Sequence, residues 1–535
     1  MSTKKILTSL LVTGLGLTAI LYNSCKDPLQ DVDLVVNTEL FKTNISVQVR
    51  DYNSTSPVGI ADVTLKIIGG SDYSNPAGDV EFPDYVLDAI GNKDFEVANG
   101  FTAMVLSPGT VPTEDKPVRF TIVASAPGYL TTYKNVFIPA EGDYNVVIGM
   151  TKLDDLPQGV SSSIGTISAP SAGTTAEIIF EAAATNGKAE KAVVTINPGT
   201  KFYDEAGTQL TGTLDFTMVH FDNQNEKAIL SAPGSGLEGG IYYDSLGNKL
   251  DAGINPGSLG LVDIVIKKGT KKVKTFSQPV KLQMELNGNS LYSGEQFIAA
   301  GNKVPVWSTN ENTGVTKMET EKEIYTNGNG KLEVSMDLEH LTEYVLTPFY
   351  SAEGFCLRGT YSFMANNPFF DFSVKLYESP TNKLLGISTS RTVLNNFVCY
   401  SKKYYFKVYV RNQLVLTTPV YNGCTSYVES FNFQEPQPPT YIPFKADVRG
   451  KCENKPNKRI APNLAVKIWD EETNEWLPYG DMKKGYLNGQ LVKGKTHRLG
   501  AFFYGLWQER NIDANGSEVV FNEVWDLPPM VCSQY

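Results

Sequence analysis

Between residues 41 and 152, apolar and polar positions alternate in short runs: Ile45, Val47 and Val49; Val63, Leu65 and Ile67; Phe120, Ile122 and Ala124; Tyr144, Val146 and Ile148. A period of two, broken by turn residues, predicts half-buried antiparallel strands. The pattern returns at Val262/Ile264/Ile266, Val280/Leu282/Met284/Leu286 and Leu332/Val334/Met336/Leu338, so a second strand-rich block is expected over 176–350. Residues 153–175 shift towards Ser, Gly, Ala and Pro and read as a linker. No amphipathic helix longer than three turns is expected after the first segment. The chain reads as all-β, a multidomain string of antiparallel β-sandwiches.

The last third carries an internal repeat. Phe372-Ser373-Val374-Lys375-Leu376-Tyr377-Glu378 is echoed, 92 residues later, by Leu464-Ala465-Val466-Lys467-Ile468-Trp469-Asp470. Each copy continues into Thr-Asn, at Thr381-Asn382 and Thr473-Asn474. Two tandem copies of one small sandwich are therefore expected, at 355–434 and 444–535. Residues 435–443, which begin Glu435-Pro436-Gln437-Pro438-Pro439, form a semi-rigid spacer between them.

The first residues follow another logic. Lys4 and Lys5 precede the apolar run from Ile6 to Ile20, and Ser24-Cys25 closes it. A basic start followed by a short apolar run is a secretion signal rather than a structural helix. A small residue followed by Cys resembles the bacterial lipoprotein signal, which implies a signal peptide over 1–24 and a lipidated Cys25 that opens a tether over 25–40. Lys26-Asp27, with Asp31 and Asp33, resembles the acidic tag of Bacteroidota surface lipoproteins. That resemblance implies a protein lipid-anchored in the outer membrane and facing the cell exterior. Ala126-Pro127-Gly128-Tyr129, ahead of Val136-Phe137-Ile138, resembles the Ig-like sandwiches of secreted bacterial modules. The 176–350 block resembles the β-sandwich family of ankyrins and netrin receptors, through Val194-Thr195-Ile196-Asn197-Pro198-Gly199-Thr200, Val304-Pro305-Val306-Trp307 and His340-Leu341-Thr342-Glu343-Tyr344.

Charge narrows the choice of partners. The chain carries 58 acidic against 47 basic side chains, a net −11, which argues against nucleic acid. If Cys25 is lipidated, Cys356, Cys399, Cys424, Cys452 and Cys532 remain, an odd number in an oxidising compartment. One or two disulfides are expected among them, with the pairing open. None has the spacing of a zinc site, and no cofactor or metal is expected. Asp244 and Asp251 flank a Gly-rich turn, but their spacing is not that of a calcium loop.

Chemistry has few places to reside. The chain has three histidines, and no nucleophile elbow, zincin or P-loop motif is present. His220 reads as a sheet residue at a strand end and His497 as solvated. His340-Leu341-Thr342 resembles the self-cleavage site of some members of the sandwich family named above. In those members a strained turn presses a hydroxyl onto the preceding carbonyl while His takes the proton. The resemblance would make Thr342 the nucleophile, His340 the base and Leu341–Thr342 the scissile bond. The simpler reading, which the residues favour, is a His bonded to a turn.

The other candidates are aromatic. Four of the five tryptophans (Trp469, Trp476, Trp507, Trp525) fall in the final repeat. Trp469 lies opposite Val466 and Ile468, so it should point away from its own core, and Tyr377 is its counterpart. Exposed rings of this kind stack on sugars, and Trp469, Trp476, Tyr479 and Tyr377, with Asn474 and Glu475 nearby, form the candidate ligand-binding set. The blander reading packs Trp469 under a loop or against the other copy and has Trp525 close a core. The expected protein is a non-enzymatic surface lipoprotein that adheres or binds a ligand, with a glycan or cell-surface protein as partner and the distal pair 355–535 as the place to look. The alternative is a structural or accessory subunit of a surface assembly, whose aromatics form a protein interface and which presents an apolar patch or an unpaired edge strand near the C-terminus.

Overall fold

The computed structural model describes residues 33–35 and, with short gaps, 42–526. Cys25, Cys424, Asn474, Asp251 and Cys532 lie outside the described residues. The protein is all-β and multidomain. Among the described residues one helix occurs, Glu226–Ser231, capped by the Asn225 side chain.

Three small sandwiches are built to one plan. In the first, the strand Thr43–Asp51 lies between the antiparallel strand Phe101–Leu106 and the parallel strand Gly142–Met150. In the third, Cys356–Ala365 lies between Val393–Cys399 and the parallel Val428–Phe433. In the fourth, Tyr441–Cys452 lies between Tyr486–Val492 and the parallel Val519–Asp526. The opposing sheet repeats as well, with Thr64–Gly69, Ser373–Ser379 and Leu464–Asp470 as its matching second strands.

The matching strands explain why the plan recurs. Leu65-Lys66-Ile67, Val374-Lys375-Leu376 and Val466-Lys467-Ile468 carry the same apolar-Lys-apolar pattern. Their registers agree too: Leu65 faces Ala124 and Ile67 faces Ile122; Val374 faces Val408 and Leu376 faces Phe406; Val466 faces Ala501 and Ile468 faces Leu499. Alternation sends these apolar residues into the three separate cores. The repeat is therefore threefold in topology, where the sequence reading found two copies. The first copy is not evident from the sequence because Ile68-Gly69 replaces the aromatic-acidic pair that ends the other two.

The second sandwich is larger. A nine-stranded sheet and a seven-stranded sheet enclose one core that includes Phe202, Phe216, Leu282 and Leu346. The segment 153–175 is not a linker as expected. Its residues Val160–Ala169 pair along their whole length with Gly212–Phe221. The run of serines concealed a strand whose buried positions include Val160, Ile167 and Ala169. Gly165 is needed there, since a Cβ would sit 2.7 Å from the Phe180 ring, itself stacked on Phe216.

The start of the chain also departs from expectation. Within the tether, Asp33–Val35 pairs in parallel with Arg459–Ala461 of the fourth sandwich. Asp33 lies only eight residues after Cys25, a reach of at most about 29 Å when fully extended. The fourth sandwich is thus tied to the beginning of the chain rather than held at its far end. Among the described cysteines, Cys452 is disulfide-bonded and buried, and the ladder sets Cys356 opposite Cys399.

Candidate functional site

The aromatic residues of the final repeat meet the first sandwich. Trp469 does leave its own core, as the strand alternation predicts, but it does not reach solvent. Trp469, Trp476 and Trp507 form a cluster with Phe101, and Trp476 is completely buried. The Trp507 and Phe101 rings stack at 4.4 Å between centroids and 4° between planes, and Trp476 stands edge-on to both. The Trp476 amide donates to Gln48 Oε1 at 3.5 Å. Gly500 makes the stack possible, because a Cβ there would lie 2.1 Å from the Trp507 ring.

Among the described residues the rings expected to form an open platform for a glycan, Trp469, Trp476, Tyr479 and Tyr377, are all buried. Tyr479 is inside the fourth core, its ring beside Phe444 and its hydroxyl donating to the Gln490 carbonyl at 3.0 Å. Burial raises its pKa above the usual phenol range. Trp525 joins the same core, as the blander reading had it. Tyr377 is also buried, stacked on Tyr405 and packed against Ile229 and Leu230 of the second sandwich, with the Lys407 ammonium 4.5 Å from its ring. Burial raises the Tyr377 pKa above the usual phenol range. Trp469 stands edge-on to Trp476, 5.6 Å between centroids, within the cluster that joins the fourth sandwich to the first.

These placements follow a rule that the strand pattern foreshadows. Two residues after the shared Lys stand Ile68, Tyr377 and Trp469, all buried on the outer face of the matching sheet. Ile68 joins Val123 and Tyr133. From this face Tyr133 donates to Glu343 Oε1 of the second sandwich at 2.9 Å, and Gly234, at φ +68°, gives the ring room. All three copies use the same sheet face to dock. Around Tyr133, Asp222, Tyr242, Trp307, Glu343 and Lys383 a cavity of about 60 Å³, lined by polar and apolar groups, remains where the first three sandwiches meet. That is room for a few water molecules, well short of a ligand site.

His340-Leu341-Thr342 has no self-cleaving geometry. The His340 ring bonds Glu319 Oε1 at 3.2 Å, and this bond first, with Ser308 in support, holds the Glu319 carboxyl below its usual pKa. The Thr342 hydroxyl donates to the Thr309 carbonyl, so its proton is directed away from His340. Positive φ among described non-glycine residues is confined to Asp62, Phe82, Asn382 and Lys484, so the turn is not strained in that sense. His220 is buried near the end of its strand. His497, expected in solvent, is half-buried with Nε2 3.1 Å from the backbone of Val492. Asp244 accepts from the Leu246 and Asn248 amides, an ordinary turn bond. Among the described residues no group of His, Cys, Asp and Glu could hold a metal ion.

One polar site was missed in the sequence. On the outer face of the seven-stranded sheet, Glu285 faces Glu333 across the ladder beneath a groove of about 430 Å³. Asn327 Nδ2 donates to both, at 3.2 and 3.0 Å, and Gln283 and Tyr325 add bonds to Glu333. Burial pushes the Glu333 carboxyl up, but these bonds, Tyr325 foremost among them, outweigh it and leave the group below its usual pKa. Partners drawn from three strands and a turn leave no compact motif to read. The network pins the turn at 327–330 to the sheet.

Fold and site together define a multidomain β-sandwich protein with aromatic interdomain contacts. No protein-family model matches the chain, and no curated protein does. Among solved structures, the TIE protein of Bacillus anthracis aligns over 70% of this chain and 76% of its own, at 8% identity and a TM-score of 0.14. A variant of BcpA, the major pilin subunit of Bacillus cereus, aligns over 74% and 99%, at 9% identity and 0.12. The full-length major pilin RrgB of Streptococcus pneumoniae aligns over 90% and 99%, at 8% and 0.12. Similarity this slight carries no argument about function. Among the described residues no helix is long and apolar enough to cross a membrane.

Proposed function

We propose that this chain is a non-enzymatic lipoprotein of the outer membrane, anchored through Cys25 and facing the exterior, that serves as a structural or accessory subunit of a surface protein assembly. The observation that carries this reading is the junction of Trp469, Trp476 and Trp507 with Phe101. The aromatics that a glycan-binding module would expose are committed to a contact between protein surfaces. The C-terminal end supports it. Val519–Asp526 pairs only with Tyr441–Cys452 among the described strands, and it exposes Val520 and Val524. An exposed edge strand with apolar side chains is a template for another chain.

The test is chemical cross-linking of intact cells followed by purification of the full-length protein under denaturing conditions, with Cys25→Ala alongside. Surface-labelled, cross-linked multimers or a constant stoichiometric partner are expected, and loss of membrane retention in the variant. A chain recovered only as an uncross-linked monomer would remove the reading. Ligand binding remains a second reading because of the groove above Glu285 and Glu333, and a polysaccharide panel with Tyr325→Ala as control addresses it.

A further inference from the structure

The first and fourth sandwiches meet through unlike faces. The fourth contributes Trp469, Trp476 and Trp507 from the sheet that contains Leu464–Asp470, and the first contributes Phe101 and Gln48 from the sheet that contains Thr43–Asp51. A contact between two different faces of one chain is heterologous, so a second copy can supply either half.

Three features mark this junction as separable. Its rings form a cluster apart from both sandwich cores, so parting the faces leaves each core intact. Its backbone tie is thin: three residues, Asp33–Val35, lie along the fourth sandwich. One of its polar contacts is also poor. Gln48 is buried, its Oε1 receives a long bond, and its Nε2 finds no partner among the described residues. A buried amide left half-satisfied opposes closure, because water would satisfy it when the faces part. The contacts with the second sandwich include Tyr133 to Glu343, Lys134 to Ser235, and Lys383 to Ser258.

We propose that the junction of the first and fourth sandwiches is a releasable latch, and that its parted faces take the complementary faces of a second copy of this chain. Head-to-tail pairing then joins copies without refolding any sandwich. This deepens the structural reading above and rests on it.

Complementation between two variants of the soluble ectodomain, residues 26–535, tests the latch. Phe101→Ala removes the first face and keeps the fourth; Trp507→Ala does the reverse. Each alone should be a folded monomer by circular dichroism and light scattering, with a larger hydrodynamic radius than the parent. Mixed in equal amounts they should form a heterodimer at concentrations at least tenfold below those at which either self-associates. If Phe101→Ala does not fold, Gln48→Arg places a charge on the same face and serves in its stead. Folded variants that stay monomeric when mixed, or that keep the parent's radius, would overturn the proposal. Cells that still yield cross-linked multimers in that case would leave the assembly reading standing and remove the latch alone.

Discussion

At His497 burial opposes charge. The half-buried imidazole is held below its ordinary pKa, chiefly by desolvation, so the folded chain takes up this proton less readily than the unfolded one. Folding stability should therefore decline as the pH falls from about 6.5 towards the depressed folded pKa, and it should level off below that value. Urea midpoints between pH 8 and pH 5 will show the decline, and His497→Gln will flatten it. Tyr133 makes a different kind of contribution. Tyr133→Phe takes a donor from the buried Glu343 carboxylate and should cost about 1–3 kcal/mol, read as a lower urea midpoint at unchanged slope. Thr342 is the third residue-scale case. With its hydroxyl bonded to the Thr309 carbonyl, the chain should run uncut on a denaturing gel after prolonged incubation; fragments ending at Leu341 would contradict the geometry.

Among the elements, Val160–Ala169 is the one that composition conceals. Serines at 161, 162, 163 and 168 look like linker chemistry, yet the backbone of this segment completes a ladder with Gly212–Phe221. Replacing residues 160–169 by a Gly/Ser stretch of equal length should unfold the second sandwich, visible as loss of protease resistance over 176–347; a true linker would tolerate the change. The strands Thr64–Gly69, Ser373–Ser379 and Leu464–Asp470 present the opposite case. Their alternation was legible, their shared role as second strands was not, because topology depends on which strands pair and not on local pattern. Ile67 occupies one of these core positions and is fully buried. Ile67→Ala should cost about 2–5 kcal/mol, with the spread set by how far the cavity collapses.

For the whole molecule the consequential contact is between the ends of the chain. A lipid-anchored string would carry its last sandwich far from the membrane. Docking of Trp507 on Phe101 and pairing of Asp33–Val35 with Arg459–Ala461 fold it back. Small-angle scattering should then give a radius of gyration much nearer the ~24 Å of a compact chain of this length than that of four sandwiches in line. Phe101→Ala should raise it.

Local physics made several features legible in the sequence: the strands, the all-β class, two of three repeat copies, and the outward direction of Trp469. Strand alternation is a property of neighbouring residues, so it survives without knowledge of the fold. Only the tertiary structure decided what the outward rings meet, that a serine-rich segment is a strand, and that Glu285 faces Glu333. A side chain's burial depends on surfaces brought up from hundreds of residues away. Phe101 reaches Trp507 across most of the chain, and no local pattern records that approach.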